Sequence, residues 1–198
     1  MERIALLHGR LVLPHRIIDD GSLLIEGGRI VAVGSSTVRN ELGSDWLRID
    51  AGGRLVTPGL VDIHIHGARG QSFNTPSHEA YATIAEANGA NGVTSLLATT
   101  ATDTIENLVE CLEFTQEWMS SGHPGAQIMG SHVEGPYFSL AQAGAQDPAN
   151  LRNPDDGTPA QLLAYADCIR QLSLAPELPG ALDLIQQLEA SHLHDASH

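Results

Sequence analysis

Leu60-Val61-Asp62-Ile63-His64-Ile65-His66-Gly67 follows Thr57-Pro58-Gly59 and alternates between apolar and polar residues. A period of two is typical of a β-strand, in which successive side chains point to opposite faces of the sheet. We therefore expect one face of this strand to carry Asp62, His64 and His66. The other face, with Val61, Ile63 and Ile65, is expected to lie under covering helices.

The two histidines of this strand are candidate metal ligands. Imidazoles two residues apart on one strand face can share a metal ion or bridge two, and neutral imidazole binds zinc and similar divalent ions. A pair of hydrogen-bonded histidines at a strand end is the alternative interpretation. The context favours ligands, because Gly67 and Gly70 open a loop directly after the strand. The histidines are thus placed at the carboxyl end of a strand, where α/β folds carry their active sites.

Composition narrows the class of protein. The chain has 198 residues, 42% of them hydrophobic, and a formal net charge of −14. Such an acidic chain is not expected to bind nucleic acid or an anionic membrane. All ten basic residues are arginine, so no lysine is available for Schiff-base chemistry. Without a secretory signal pattern or a membrane-spanning run, and with Cys111 and Cys168 far apart, we expect a cytoplasmic protein with reduced thiols.

Residues 1–56 are predicted to form a small β unit without catalytic residues. Apolar runs at 4–13, 22–25 and 30–33 are separated by turn residues, and Gly27-Gly28 is typical of a two-residue hairpin. Leu47–Ile49 and Leu55–Val56 flank Gly52-Gly53, which predicts a second pairing between them. The expected unit is antiparallel.

From residue 57 onward the pattern changes to alternating strands and helices. Strands are predicted at 60–66, 93–98, 127–133 and 172–175. Helices are predicted from a Thr75 N-cap to Asn88, at 104–119, from Thr158 through Leu172, and at 179–189. Strand–helix units in series predict a parallel sheet. A complete eightfold barrel takes about 250 residues, so the fold class is α/β with a partial barrel of about four of eight units.

Glu134 ends the third predicted strand, in Ser131-His132-Val133-Glu134-Gly135-Pro136. The period of two puts His132 and Glu134 on one face. A carboxylate at the carboxyl end of this strand could join His64 and His66 around a metal. A Glu that caps a helix or pairs with an arginine is the alternative. Spacing alone does not choose between the two.

These motifs together resemble a known family. Residues 58–67 resemble the first-strand signature of the amidohydrolase superfamily. Gly92-Val93-Thr94-Ser95, His132-Val133-Glu134-Gly135-Pro136-Tyr137, Ala143-Gly144-Ala145-Gln146 and Leu174-Ala175-Pro176-Glu177 resemble N-acetylglucosamine-6-phosphate deacetylases. The resemblance implies a metal-containing β/α barrel over 57–198, preceded by a β-sandwich portion over 1–56. It also implies hydrolysis of the acetamide of N-acetylglucosamine 6-phosphate to glucosamine 6-phosphate and acetate.

The resemblance also assigns residues. Glu134 matches the family's glutamate ligand, and His64 and His66 match a His-x-His that supplies a second metal position in some members. The expected cofactor is zinc, iron or another divalent ion, and the expected assembly is a homo-oligomer. Ala145 and Gln146 fall where the family contacts the sugar, although many members have histidine at the second position.

The general base implied by the family is an aspartate on a late strand, with two further histidine ligands on the fifth and sixth strands. None of these is identified in this sequence. The histidines at 192, 194 and 198 follow no apolar strand and are not expected to be ligands. Two alternatives therefore stay open: a fragment that binds metal weakly or needs a partner chain, and another amidohydrolase of dihydroorotase or deaminase type.

Overall fold

The structure is a computed structural model that describes residues 2–39 and 42–193. The chain divides into two compact units between Pro58 and Gly59. Each unit is built around one β-sheet with its own strand order.

The first unit begins with three antiparallel strands, β1 (Arg3–Leu13), β2 (Arg16–Glu26) and β3 (Arg29–Gly34). Gly27 and Gly28 form the two-residue turn between β2 and β3 at φ values of 56° and 77°. Such positive φ values match the type of turn that joins twisted antiparallel strands. The predicted hairpin is confirmed.

Two shorter strands complete this sheet in a way that the sequence did not indicate. β4 (Leu47–Asp50) and β5 (Leu55–Val56) both pair with β1, in parallel, so the predicted pairing between them is wrong. The connecting turn is itself bonded to β1, because the Gly53 N–H donates to the His8 carbonyl. The turn therefore moves the chain along the free edge of β1 instead of reversing it, and the unit is mixed rather than antiparallel.

The second unit contains a parallel sheet of four strands. They are β6 (Leu60–Ile65), β9 (Val93–Thr100), β10 (Gln127–Glu134) and β11 (Ile169–Ser173), in the order β11-β10-β9-β6. A small hairpin, β7 (Gly67–Ala68) and β8 (Gln71–Ser72), follows β6. The expected mixed α/β fold with a parallel sheet is confirmed.

In the described part of the second unit, four α-helices accompany this sheet: α1 (His78–Gly89), α2 (Ile105–Met119), α3 (Pro159–Leu163) and α4 (Ala181–Leu193). Thr104 caps α2, which begins one residue later than the predicted range of 104–119, and the cap of α1 is Ser77 rather than the predicted Thr75. The Ser77 hydroxyl accepts from the Ala80 N–H at 3.2 Å, which is the bond expected of an N-cap. Within the described ranges, no helix is long and apolar enough to cross a membrane.

The predicted helix through Leu172 is wrong after its first turns. The α3 helix ends at Leu163, and β11 begins at Ile169 instead of Leu172. A short apolar run fits either structure. Pairing with β10 decides the outcome, since Ile169 lies beside Ser131 and is almost fully buried.

Two clusters of buried side chains hold the helices to the sheet. One joins α1 to β9 and the start of β10 through Tyr81, Ile84, Leu96 and Ile128. The other joins α2 to β10, α3 and α4 through residues that include Leu108, Leu112, Val133, Leu162 and Leu184. Burial of this kind stabilises the fold by about 25 cal/mol per Å² of apolar surface. The clusters therefore hold in place the strands whose ends carry the histidines.

The β6 strand departs from the expected alternation. Its register shifts between Asp62 and Ile65, which lie beside Leu96 and Ala98 respectively. Asp62 is therefore next to a core residue, and its carboxylate accepts from the backbone N–H of His64 at 3.0 Å. The irregular register interrupts the period of two between Asp62 and Ile65, and the placement of Asp62 on the face of the histidines stays a prediction.

The expected helix cover over β6 is present only at its end. Ile65 packs against the first cluster, whereas Val61 is 68% exposed and Ile63 is 56% exposed. The reason is the strand order, which places β6 at the edge of the sheet. Its amino-terminal half thus presents large apolar side chains to solvent.

Candidate metal centre

Three side chains that are distant in sequence meet at the carboxyl ends of the strands. Nε2 of His64 lies 3.0 Å from Oε2 of Glu134, and Nε2 of His66 lies 2.9 Å from the same oxygen. The two Nε2 atoms are 3.3 Å apart. Such a group of two imidazoles and one carboxylate can hold a metal ion.

Strand order explains why these residues meet. The histidines lie at the end of β6, Glu134 ends β10, and β9 runs between them. After Glu134 the chain leaves the sheet at Gly135, which has a φ of 87°. A Cβ atom there would lie 2.2 Å from Oγ1 of Thr102, so only glycine fits both the backbone conformation and the space.

The ring of His66 is held by a backbone carbonyl. Its Nδ1 lies 3.2 Å from the carbonyl oxygen of Thr99 on β9. A carbonyl only accepts hydrogen bonds, so Nδ1 carries the proton and donates. In the neutral ring the lone pair is then on Nε2, the atom that faces Glu134. Ligand histidines are commonly oriented by such a contact.

The Glu134 carboxylate has two different environments. Oε1 accepts from the side-chain amide of Gln146 at 3.2 Å. Oε2 is buried and lies within 3.0 Å of both histidine nitrogens, yet it has no donor in hydrogen-bonding geometry. If Nε2 of His64 carries a lone pair, as Nε2 of His66 does, these two lone pairs and that of the carboxylate repel one another at this distance. A proton on an imidazole or a cation among the three atoms removes that repulsion.

The spacing of the three atoms fits a small divalent cation. Ligand atoms at 2.0–2.1 Å from a tetrahedral ion are about 3.3 Å from each other. The three distances in the site are 3.0, 2.9 and 3.3 Å. The donor set, two imidazoles and a carboxylate, also suits zinc and other transition metals.

His132 is a neighbour of the site for which the sequence analysis predicts no role. Its ring packs edge-on against His64 at 4.9 Å between centroids, and its Nε2 is 2.8 Å from the Ser173 hydroxyl on β11. Burial, and then the adjacent His64, lower the pKa of His132. The ring is therefore neutral near pH 7 and adds no positive charge beside the cluster. Its position on the face of Glu134 was the only signal in the sequence.

The other sequence-predicted residues lie at different distances from this cluster. Gln146 reaches Glu134 directly, while Ala145 beside it is exposed on the segment between β10 and α3. The tail histidines at 194 and 198 lie outside the described residues, as does the side chain at 192. The structure thus brings together His64, His66, Glu134 and Gln146.

Comparison with known proteins places this site in a family. The amidohydrolase family model matches residues 55–183, a range that contains the strands with both histidines and Glu134. The chain belongs to the amidohydrolase family.

Among curated proteins, the chain is similar to sugar-phosphate deacetylases. It is 33% identical over 138 residues to the N-acetylglucosamine-6-phosphate deacetylase of Vibrio furnissii, covering 69% of this chain and 35% of that protein. It is 31% identical over 185 residues to the N-acetylgalactosamine-6-phosphate deacetylase of Escherichia coli O157:H7, covering 93% of this chain and 47% of that protein.

A solved structure shows the same likeness in three dimensions. A variant of N-acetyl-D-glucosamine-6-phosphate deacetylase from Mycobacterium smegmatis, in complex with N-acetyl-D-glucosamine-6-phosphate, superposes with a TM-score of 0.81 at 28% identity. The match covers 96% of this chain and 48% of that one. The chain thus spans less than half the length of these relatives.

Proposed function

We propose that this chain is the metal-binding portion of a deacetylase that hydrolyses the acetamide of an N-acetylated hexosamine 6-phosphate. The observation that carries the proposal is the triangle of His64, His66 and Glu134 in a member of the amidohydrolase family. The similarity to two sugar-phosphate deacetylases supports the substrate class. Zinc is the proposed ion, with iron or another divalent ion as the alternative.

Each residue has a proposed role in this reaction. A divalent ion, when bound, lowers the pKa of water and polarises the amide carbonyl. His64 and His66 would hold it through Nε2, and Glu134 through Oε2, with the Glu134 charge offsetting that of the ion. Gln146 carries a second amide hydrogen which, with the backbone at Ala145, is proposed to contact the sugar. We propose that the proton-accepting aspartate and two more histidine ligands come from residues outside this sequence.

The same proposal extends to the fold. The parallel sheet over 57–198 is interpreted as part of a β/α barrel, because β6 and β11 both present an edge without a partner strand among the described residues. Beside β11 there is a groove of about 810 Å³, lined by Leu172, Leu174 and Ile185 among others. A further strand would fill this groove.

The sheet of residues 1–56 is likewise interpreted as one side of a β-sandwich. One face of that sheet carries an apolar row that includes Val33 and Ile49, and both side chains are more than a third exposed. A second sheet would cover such a face. Exposed apolar surface in both units also supports association between chains, for which a homo-oligomer is the simplest arrangement.

Two hexosamines fit the comparisons, since the relatives include both a glucosamine and a galactosamine deacetylase. The two sugars differ only in the orientation of one hydroxyl group. A direct test measures acetate release from both N-acetylated 6-phosphates, using the chain alone and the chain extended by whatever coding sequence follows His198. We expect activity only in the extended form.

The controls separate the alternatives. Glu134→Ala should abolish acetate release, because it removes both a ligand and a negative charge from the site. Hydrolysis of a cyclic ureide or deamination of a base, without acetate release, would move the protein elsewhere in the amidohydrolase family. Turnover by the 198-residue chain alone would overturn the proposal that essential residues lie outside it.

A further inference from the structure

The carboxamide of Gln146 is engaged at both ends. Its Oε1 accepts from the backbone N–H of Thr102 at 2.8 Å, and its Nε2 donates to Oε1 of Glu134 at 3.2 Å. The backbone donor fixes the orientation of the amide, since only the oxygen can accept from Thr102. The nitrogen must therefore face Glu134.

The backbone that receives Gln146 is held in place by a second carboxamide. Asn74 accepts from the Ala101 N–H at 2.8 Å and donates to the Ala101 carbonyl at 3.1 Å. Asp103 in turn accepts from the Asn74 amide at 3.0 Å. The two side-chain amides thus form hydrogen bonds with the backbone of consecutive residues, Ala101 and Thr102, just beyond β9. The backbone around Thr102 is therefore held in place. Gln146 links the Glu134 carboxylate to this backbone through the Thr102 N–H.

Gln146 also lies in a segment that has few other attachments. The segment 139–151 leaves the sheet after β10, and its base is closed by the Arg152 N–H bonded to the Pro136 carbonyl at 3.0 Å. Hydrogen bonds inside it join near neighbours, such as Gln142 to Ser139. Among the described residues, the hydrogen bonds that tie 139–151 to the strand ends are those of the Gln146 side chain.

We propose that Gln146 is a positioning residue that sets the Glu134 carboxylate for a metal ion and ties the segment 139–151 to the occupied site. The inference rests on the proposed function, because it assumes that Glu134 is a ligand. Its physical basis is that the two oxygens of the Glu134 carboxylate have different neighbours. With Oε1 held by Gln146, Oε2 is directed at the two imidazoles. Loss of a hydrogen-bond partner of a ligand typically lowers metal affinity 10- to 100-fold.

The test compares the full chain with two substitutions in the same segment. Gln146→Met keeps the length of the side chain but removes both hydrogen bonds, whereas Gln142→Met makes the same change at an exposed position. Zinc affinity is measured by competition with a chromophoric chelator. Hydrogen–deuterium exchange of 139–151 is measured with and without zinc. Urea unfolding shows that each variant is folded.

We expect zinc to bind about 10- to 100-fold more weakly to the Gln146→Met variant. Zinc should slow exchange of 139–151 in the wild type and in Gln142→Met but not in Gln146→Met. Equal affinity and equal protection in all three proteins would overturn the role of Gln146 and leave the metal site intact. A wild type that binds no zinc would instead overturn the proposed function, and the inference with it. Should Gln146→Met not fold, a wild type whose 139–151 exchange is unaffected by zinc also overturns the inference.

Discussion

His66 Nδ1 lies 3.2 Å from the carbonyl oxygen of Thr99, and this contact determines which nitrogen of the ring faces Glu134. The proton on Nδ1 leaves the Nε2 lone pair of the neutral ring directed at the carboxylate, 2.9 Å away. Two chemical states relieve that contact: a proton on an Nε2 atom of the histidine pair that is shared with the carboxylate, or a cation bound by the three side chains. The first needs no metal, and the second does, so metal binding distinguishes them.

We expect the purified chain to bind a divalent ion through His64, His66 and Glu134. Changing all three to alanine removes every ligand atom of the triangle, so metal content measured by mass spectrometry should fall to background. The matched control is His78→Ala with His123→Ala, because these rings pack at 5.4 Å from each other beside Trp118, away from the site. Equal metal content in the triple variant and the wild type would contradict the assignment.

A second prediction concerns the turn that follows Glu134. Gly135→Ala should lower the free energy of unfolding by about 1–3 kcal/mol, the usual range for a residue forced into a strained conformation. The added Cβ would meet Thr102 Oγ1 at 2.2 Å, and relieving that contact would move Glu134 as well. Urea unfolding measures the loss of stability, and zinc titration measures the displacement of the ligand.

Gly157→Ala is the matched control for this substitution. Gly157 has a φ of 85°, close to the 87° of Gly135, but no atom lies within 4 Å of its added Cβ. The difference between the two variants therefore isolates the steric contact with Thr102 from the cost of a positive φ. Identical losses of stability, with unchanged zinc affinity, would show that the contact at Gly135 has no effect.

Much of the site could be predicted from the local sequence pattern. The features that could not be predicted depend on how the strands pair. His64, His66 and Glu134 come directly after strands, and the carboxyl ends of parallel strands meet at one edge of a sheet. The role of Thr99 could not be predicted, because Thr99 holds the His66 ring through its backbone carbonyl, and a residue of any type would offer the same group. The irregular register between Asp62 and Ile65 could not be predicted either, because a register shift has no signature in an alternating sequence.

The same limit explains the errors in the fold. Ile169 and Leu172 fit a helix as well as a strand, and only the free edge of β10 selects the strand. The Gly52-Gly53 turn is typical of a hairpin, yet β1 offers a longer edge to both flanking strands. Helix α2, by contrast, was predicted to within one residue, since its cap and its apolar spacing are both local signals.

The two cysteines provide a pH-dependent prediction for the folded second unit. Both thiols are free and buried. Burial raises the pKa of Cys111 to about 12, with smaller effects from Asp103 and Glu110, and burial also raises the pKa of Cys168. A raised pKa keeps the thiol protonated, and the thiolate is the reactive form. We expect a thiol reagent at pH 8 to label neither residue in the native chain and both in urea. Rapid native labelling that increases only between pH 7 and 9 would contradict this burial.

The exposed edge strand predicts how the 198-residue chain behaves by itself. Val61 and Ile63 are 68% and 56% exposed on β6, a strand whose outer backbone groups have no partner strand among the described residues. An apolar strand edge of this kind pairs readily with another chain, and charged side chains prevent such pairing. We expect light scattering to detect concentration-dependent association of the wild type. The double substitution Val61→Lys and Ile63→Lys should shift the chain toward the monomer, while its zinc affinity is retained.

Leu182→Lys is the control, because Leu182 is 64% exposed on a helix that offers no strand edge. A monomeric wild type, or equal relief of association by the Leu182 substitution, would show that the β6 edge is not the site of contact.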